Sequence, residues 1–142
     1  MIIQQISIFL ENKQGQLFRP YKYLSDNKIN ITTACLADTS EFGILRLIVK
    51  DYERAVAILR SNGYAVVLSE IVAIVVPDCP GGLSNILEII DTNGINIEYM
   101  YAISRHNPDD AILAFRFTDP EAAIKVLQKH GVKIATQEQV WS

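Results

Sequence analysis

The sequence predicts an α+β fold built twice over: two consecutive βαββαβ units, each an antiparallel sheet with helices on one face. The chain repeats itself, strand-period and helix-period apolar positions alternate in the same order in both halves, and turn residues separate them. With a shift of 66 positions (Ile6 onto Val72), Ile8 and Leu10 fall on Ile74 and Val76, Gly15 and Leu17 on Gly81 and Leu83, and Leu24 on Ile90. Asn27 meets Asn93, and Ile29, Asn30 and Ile31 meet Ile95, Asn96 and Ile97. Past a two-residue insertion in the second half the shift is 68 (Leu45 onto Leu113), and Leu47, Val49, Asp51 and Leu59 meet Phe115, Phe117, Asp119 and Leu127. A split at residues 69–71 divides the chain into units 1–70 and 71–142.

Taken in order, Ile6, Ile8 and Leu10 alternate with Ser7 and Phe9, a strand signal. No basic segment precedes them, so the start reads as structure and not as a signal peptide, which points to a cytoplasmic protein. In the first helix Pro20 stands where the second half has Ile86. Proline is comfortable only in a helix's first turn, so this helix either starts late, near Arg19, or is distorted.

The second half is cleaner. Val72, Ile74 and Val76 form a strand, residues 78–82 a turn, and Leu83, Ile86, Leu87 and Ile90 one face of a helix. Gly94 supplies its left-handed stop. Residues 95–103 and 111–117 read as strands joined by a polar hairpin loop, 104–110. Asp119 and Pro120 then cap and open a helix that ends near Gly131, and residues 132–134 begin the last strand. This is the split-βαβ, ferredoxin-like order, which hosts many unrelated functions.

Composition narrows the class. Of 142 residues, 49% are hydrophobic and 20% charged, an ordinary globular balance. A net charge of -3 without a Lys/Arg cluster leaves no footprint for nucleic acid, and no apolar run is long enough to span a bilayer. Cys35 and Cys79 lack metal or redox spacing and read as free thiols. His106, in the hairpin loop, and His130, in a helix's last turn, stand at no ligand spacing, so neither metal nor cofactor is expected. The acids Asp51, Glu53, Asp119 and Glu121 sit at helix starts, where capping explains them, and no catalytic set emerges.

The informative segment is Asp78-Cys79-Pro80-Gly81-Gly82-Leu83. Gly81 and Gly82 would let a ligand approach the backbone, and the following helix presents unpaired amides that favour an anion such as a carboxylate. The strand, this D-x-P-G-x-L turn, the helix and the G-I-N-I entry at residues 94–97 resemble the ACT domain family, twice over almost the whole chain. The resemblance implies a regulatory protein that binds a free amino acid, or a similar small carboxylate, between paired ACT units, and acts on an enzyme or a transcriptional regulator. It implies a homodimer, no catalysis, and a site at Asp78, Pro80, Gly81, Gly82 and Leu83 meeting Asn96 and Ile97. The ligand's ammonium would find Asp78 or Asn96 as acceptor. The first half departs from the pattern: in Asn12-Lys13-Gln14-Gly15-Gln16-Leu17 only Gly15 and Leu17 match. Asn12, Gln14, Gly15, Gln16 and Leu17, with Asn30 and Ile31, therefore form either a more selective half-site or an empty one.

Two rivals share the element order. An RNA-recognition module needs aromatics on its central strands, and residues 42–49 lack that pattern. A pure assembly module would use the sheet face opposite the helices, partly apolar at Phe9, Ile44, Ile48, Ala73 and Val75.

Overall fold

The computed structural model describes residues 2–38, 41–105 and 107–141. The chain forms two compact units, Gln4–Ser69, and Glu70–Ser142 together with Met1–Ile3. The first comprises β1 (Ile2–Glu11, from Gln4 on), α1 (Phe18–Asp26), β2 (Thr33–Asp38), β3 (Phe42–Ile48), α2 (Tyr52–Ser61) and the start of β4 (Val66–Pro77). The second takes over inside β4 and adds α3 (Gly82–Thr92), β5 (Ile97–Arg105), β6 (Asp110–Phe117), α4 (Pro120–Lys129) and α5 (Gln137–Trp141).

In the first unit β3 runs antiparallel to both β1 and β2, with Ile8 opposite Leu45 and Leu36 opposite Leu45 from the other side. Alternation sends Ile6, Ile8, Leu10, Leu45 and Leu47 to one face, where Leu24 of α1 and Ala55, Val56 and Leu59 of α2 cover them. α1 starts at Phe18, so Pro20 is its third residue, in the turn whose amides have no helical partner anyway. The late start resolves the Pro20 conflict.

In the second unit β6 runs antiparallel to β4 and β5, with Val72 opposite Phe115 and Met100 opposite Phe115. Phe115 and Phe117 are fully buried and stacked, ring centres 5.6 Å apart, in a core with Val72, Ile74, Ile86, Ile90, Ala123 and Leu127. Asp119 caps α4, its Oδ1 accepting from the Ala122 amide at 3.2 Å, and Pro120 opens the helix. Its repeat partner Asp51 precedes α2 but makes no side-chain cap bond, leaning instead toward Arg54 at 3.9 Å.

Three boundaries differ from the sequence reading. β5 starts at Ile97 because the Ile95 amide donates to the Ile90 carbonyl (3.1 Å) and completes the helix stop at Gly94. The last strand is reduced to residues 133–135, which pair with β4 through Val75 N to Lys133 O (2.9 Å) and Ala135 N to Ala73 O (2.8 Å). An additional short helix, α5, then follows. Thr136 and Gln139 cap it reciprocally, each side chain accepting the other's amide at 3.2 and 2.8 Å, and Val140 is buried.

The repeat extends to backbone conformation. Gly15 and Gly81 share φ +85°, and Lys28 at φ +58° occupies the left-handed position that Gly94 holds at +69°.

Candidate ligand site

β4 ends at Pro77, and the next residues wind around its carbonyl. Cys79 N donates to Pro77 O (3.0 Å), Gly82 N to Cys79 O (3.0 Å), and Asp78 N to Asp109 O (2.7 Å), which ties the turn to the β5–β6 hairpin. Gly81, the N-cap of α3, is left-handed at φ +85°, a conformation that glycine adopts at low cost. Gly82 has a different reason. A Cβ there would stand 2.0 Å from the Pro77 carbonyl oxygen, so the turn's own backbone already requires glycine at this position. Among the described residues no backbone carbonyl accepts from the amides of Leu83 or Ser84, the open donors of α3's first turn.

Beside this turn lies a pocket of about 350 Å³. Val75, Pro77, Ile86, Ile89 and Val132 give it apolar walls, while Cys79, Asn85, Asp110 and Lys133 supply polar groups. Pro80 and Gly82 of the predicted segment line it; Asp78, Gly81 and Leu83 do not. A second cavity of about 350 Å³ shares Val75, Asp110 and Lys133 and adds the polar side chains of Asn107 and Gln139. Asp110 accepts one hydrogen bond from Asn107 Nδ2 at 3.3 Å. Lys133 is exposed.

Asn96 and Ile97 are elsewhere in the unit. β6 pairs with Pro77 at its Asp110 end and with Ile97 at its Phe117 end. Seven strand steps at roughly 3.4 Å separate those ends by about 24 Å. Asn96 Nδ2 donates to Thr118 Oγ1 (3.0 Å), and its carbonyl accepts from the Thr118 amide (3.2 Å), so both tie the entry of β5 to the end of β6. Ile97 packs against the core. Within one unit, therefore, the turn and the strand entry cannot touch one small molecule.

The first repeat places its residues the same way. Asn30 is exposed and Ile31 packs on the first core, next to the Thr32–Ile48 bond, at the end of β3 away from residues 12–17. Its turn carries only a small cavity of about 70 Å³, lined by Asn12, Gln16 and Leu17 among others. Lys13 there is already committed to Glu11 at 2.7 Å, and the hydrogen bond and charge of that ammonium hold the Glu11 carboxyl below its ordinary range. Gln14 and Gly15 do not line the cavity.

The sequence reading missed Asn85, Asp110, Val132 and Lys133. Asn85 was within reach, one helical turn after Gly82, but the others converge only through the hairpin and the last strand. His130 Nδ1 lies 2.9 Å from the Val126 carbonyl, a helix-end contact, and His106 falls outside the described residues. Among the described residues no three His, Cys, Asp or Glu side chains gather to hold a metal ion, and no helix is long and apolar enough to cross a membrane.

Comparison with known proteins agrees with this architecture. A family model described as an ACT domain pair matches residues 1–141. Protein BT0572 from Bacteroides thetaiotaomicron, known from a crystal structure, is 34% identical, with a TM-score of 0.91 over 100% of this chain and 97% of its own. The regulatory subunits of aspartate kinase from Thermus thermophilus and Thermus flavus share the fold at 16% and 15% identity, each with a TM-score of 0.64. These alignments cover 89% and 91% of this chain, and 91% and 94% of theirs. No curated protein matches the sequence. With duplicated βαββαβ units, paired glycine turns and a model match over nearly its full length, the chain belongs to the ACT domain pair family.

Proposed function

We propose that this chain is a regulatory sensor that binds a free amino acid, or a close carboxylate analogue, at the turn of its second repeat. The observation that carries the reading is the pocket of about 350 Å³ beside that turn, within the size range of small-molecule sites. The Lys133 ammonium in the pocket lining favours a carboxylate, and Asp110 offers an acceptor for an ammonium. Family membership supports the ligand class, since the ACT resemblance implies amino-acid binding and regulation of an enzyme or a transcriptional regulator.

The reading includes a homodimer. Asn96 and the turn lie about 24 Å apart within one unit, so a ligand touching both needs another unit alongside. The first unit also exposes Phe9 and Phe42, 50% and 51% accessible, on the face of its sheet away from the helices. Light scattering should return twice the chain mass, and a monomer in both the presence and the absence of ligand would remove this part of the proposal. Assembly without a ligand is the competing reading, resting on those same aromatics.

A thermal-shift series against the common amino acids tests the function. A ligand selective for the folded state adds RT ln(1 + [L]/Kd), about 4 kcal/mol at a thousandfold excess over Kd. An amino acid that raises the melting temperature in proportion to the logarithm of its concentration is the expected result. No shift with any amino acid would sink the reading.

A further inference from the structure

Resting on the amino-acid reading above, we propose that the second repeat's pocket selects an amino acid with an apolar side chain. The chemistry is divided along the cavity. Ile86 and Ile89, three residues apart on α3, and Val132, just after the left-handed Gly131, form apolar walls, and the uncharged polar side chains beside them are Asn85 and Cys79 alone. Burying an unpaired hydroxyl, amide or charge against those walls is costly, whereas an aliphatic chain gains there by leaving water. Asp110 and Lys133 line both this pocket and the adjoining polar cavity, with Val75 between the two spaces. A zwitterion matches that pair: its ammonium faces Asp110, its carboxylate faces Lys133, and its side chain extends toward Ile86, Ile89 and Val132. A ligand with a charged side chain would bring a third charge with no counterpart in the apolar part.

The discrimination expected follows from methylene arithmetic. A single methylene in a hydrophobic pocket changes binding by roughly 10- to 200-fold, so glycine and serine fall well below leucine. Calorimetric titration of the full chain with L-leucine, L-isoleucine, L-valine, L-methionine, L-serine, L-aspartate and L-lysine reads this directly. The apolar group should bind at least about tenfold tighter than the polar group. Val132→Thr keeps the shape of the wall and adds a hydroxyl, and it should weaken the tightest apolar ligand by about tenfold. Ile89→Gln should do the same, and if that variant fails to fold Val132→Thr decides alone. Alkylation by iodoacetamide gives the location: in a Cys35→Ser background, a saturating apolar amino acid should slow modification of the exposed Cys79, which lines the pocket.

L-serine, L-aspartate or L-lysine binding as tightly as the apolar group would overturn the selectivity while leaving the amino-acid reading intact. So would unchanged leucine affinity in folded Val132→Thr. Failure of all four apolar amino acids to bind would overturn the selectivity, while the amino-acid reading falls only if the thermal-shift series finds no ligand among all the common amino acids.

Discussion

Glycine pairs are easy to read and easy to misread, and Gly81 and Gly82 illustrate both. The turn and its position before a helix are legible in the letters, but the pressure on Gly82 comes from a carbonyl five residues earlier, which no local pattern reveals. The two glycines should therefore fail differently. Gly81→Ala meets open space and costs only its left-handed φ, about 1–2 kcal/mol. Gly82→Ala must displace the Pro77 carbonyl from 2.0 Å, so it should reach or exceed the roughly 3 kcal/mol at the upper end of overpacking losses. Urea unfolding of both variants checks the order, and a smaller loss at Gly82 would show that the turn relaxes. Lys28 gives the opposite sign. It holds a left-handed conformation that Gly94 holds in the other repeat, so Lys28→Gly should stabilise by about 0.5–1 kcal/mol once the greater freedom of unfolded glycine is deducted. Asn96 marks the limit of residue-level reading. Its identity suggests a ligand contact shared with the turn across paired units, and within its own unit its side chain is bonded to Thr118 at the far end of β6.

At the scale of elements, the signals that survived are those whose cause is local. Asp119 and Pro120 open α4 through a cap bond between neighbours, and Asp119→Ala should cost about 1 kcal/mol. Asp51→Ala should cost distinctly less, because that side chain makes no cap bond. Equal losses in thermal unfolding would mean that Asp51 caps in solution as well. The Pro20 anomaly was likewise readable as a late helix start, since proline's restriction acts within its own turn. What was lost depended on contacts from elsewhere. The last strand is reduced to one bridge, Ile134 to Ile74, and α5 follows it at once, held in five residues by its Thr136–Gln139 capping box and buried Val140. The T-x-x-Q pattern before an apolar residue stands in the sequence, but five residues carry too little apolar periodicity to mark a helix.

At the scale of the molecule, duplication was the most legible feature, because strand-period and helix-period positions stay in phase only if both halves build the same unit. The difference between the halves was legible as well, in the residues that replace the acid and proline of the turn, though not its consequence. The first repeat's turn encloses about 70 Å³ with its lysine already paired, and the second's turn borders about 350 Å³ with Lys133 and Asp110 at hand. On the proposed reading the ligand therefore sits at the second repeat's turn, which borders the larger of these two cavities. Amide chemical shifts of the ¹⁵N-labelled full chain, followed during titration with the tightest-binding amino acid, test this most directly. The largest changes should fall on the amides of residues that line the pocket, Cys79, Gly82 and Asn85 and residues 131–133, with residues 12–17 unmoved; changes centred on residues 12–17, or none in the second repeat, would contradict this.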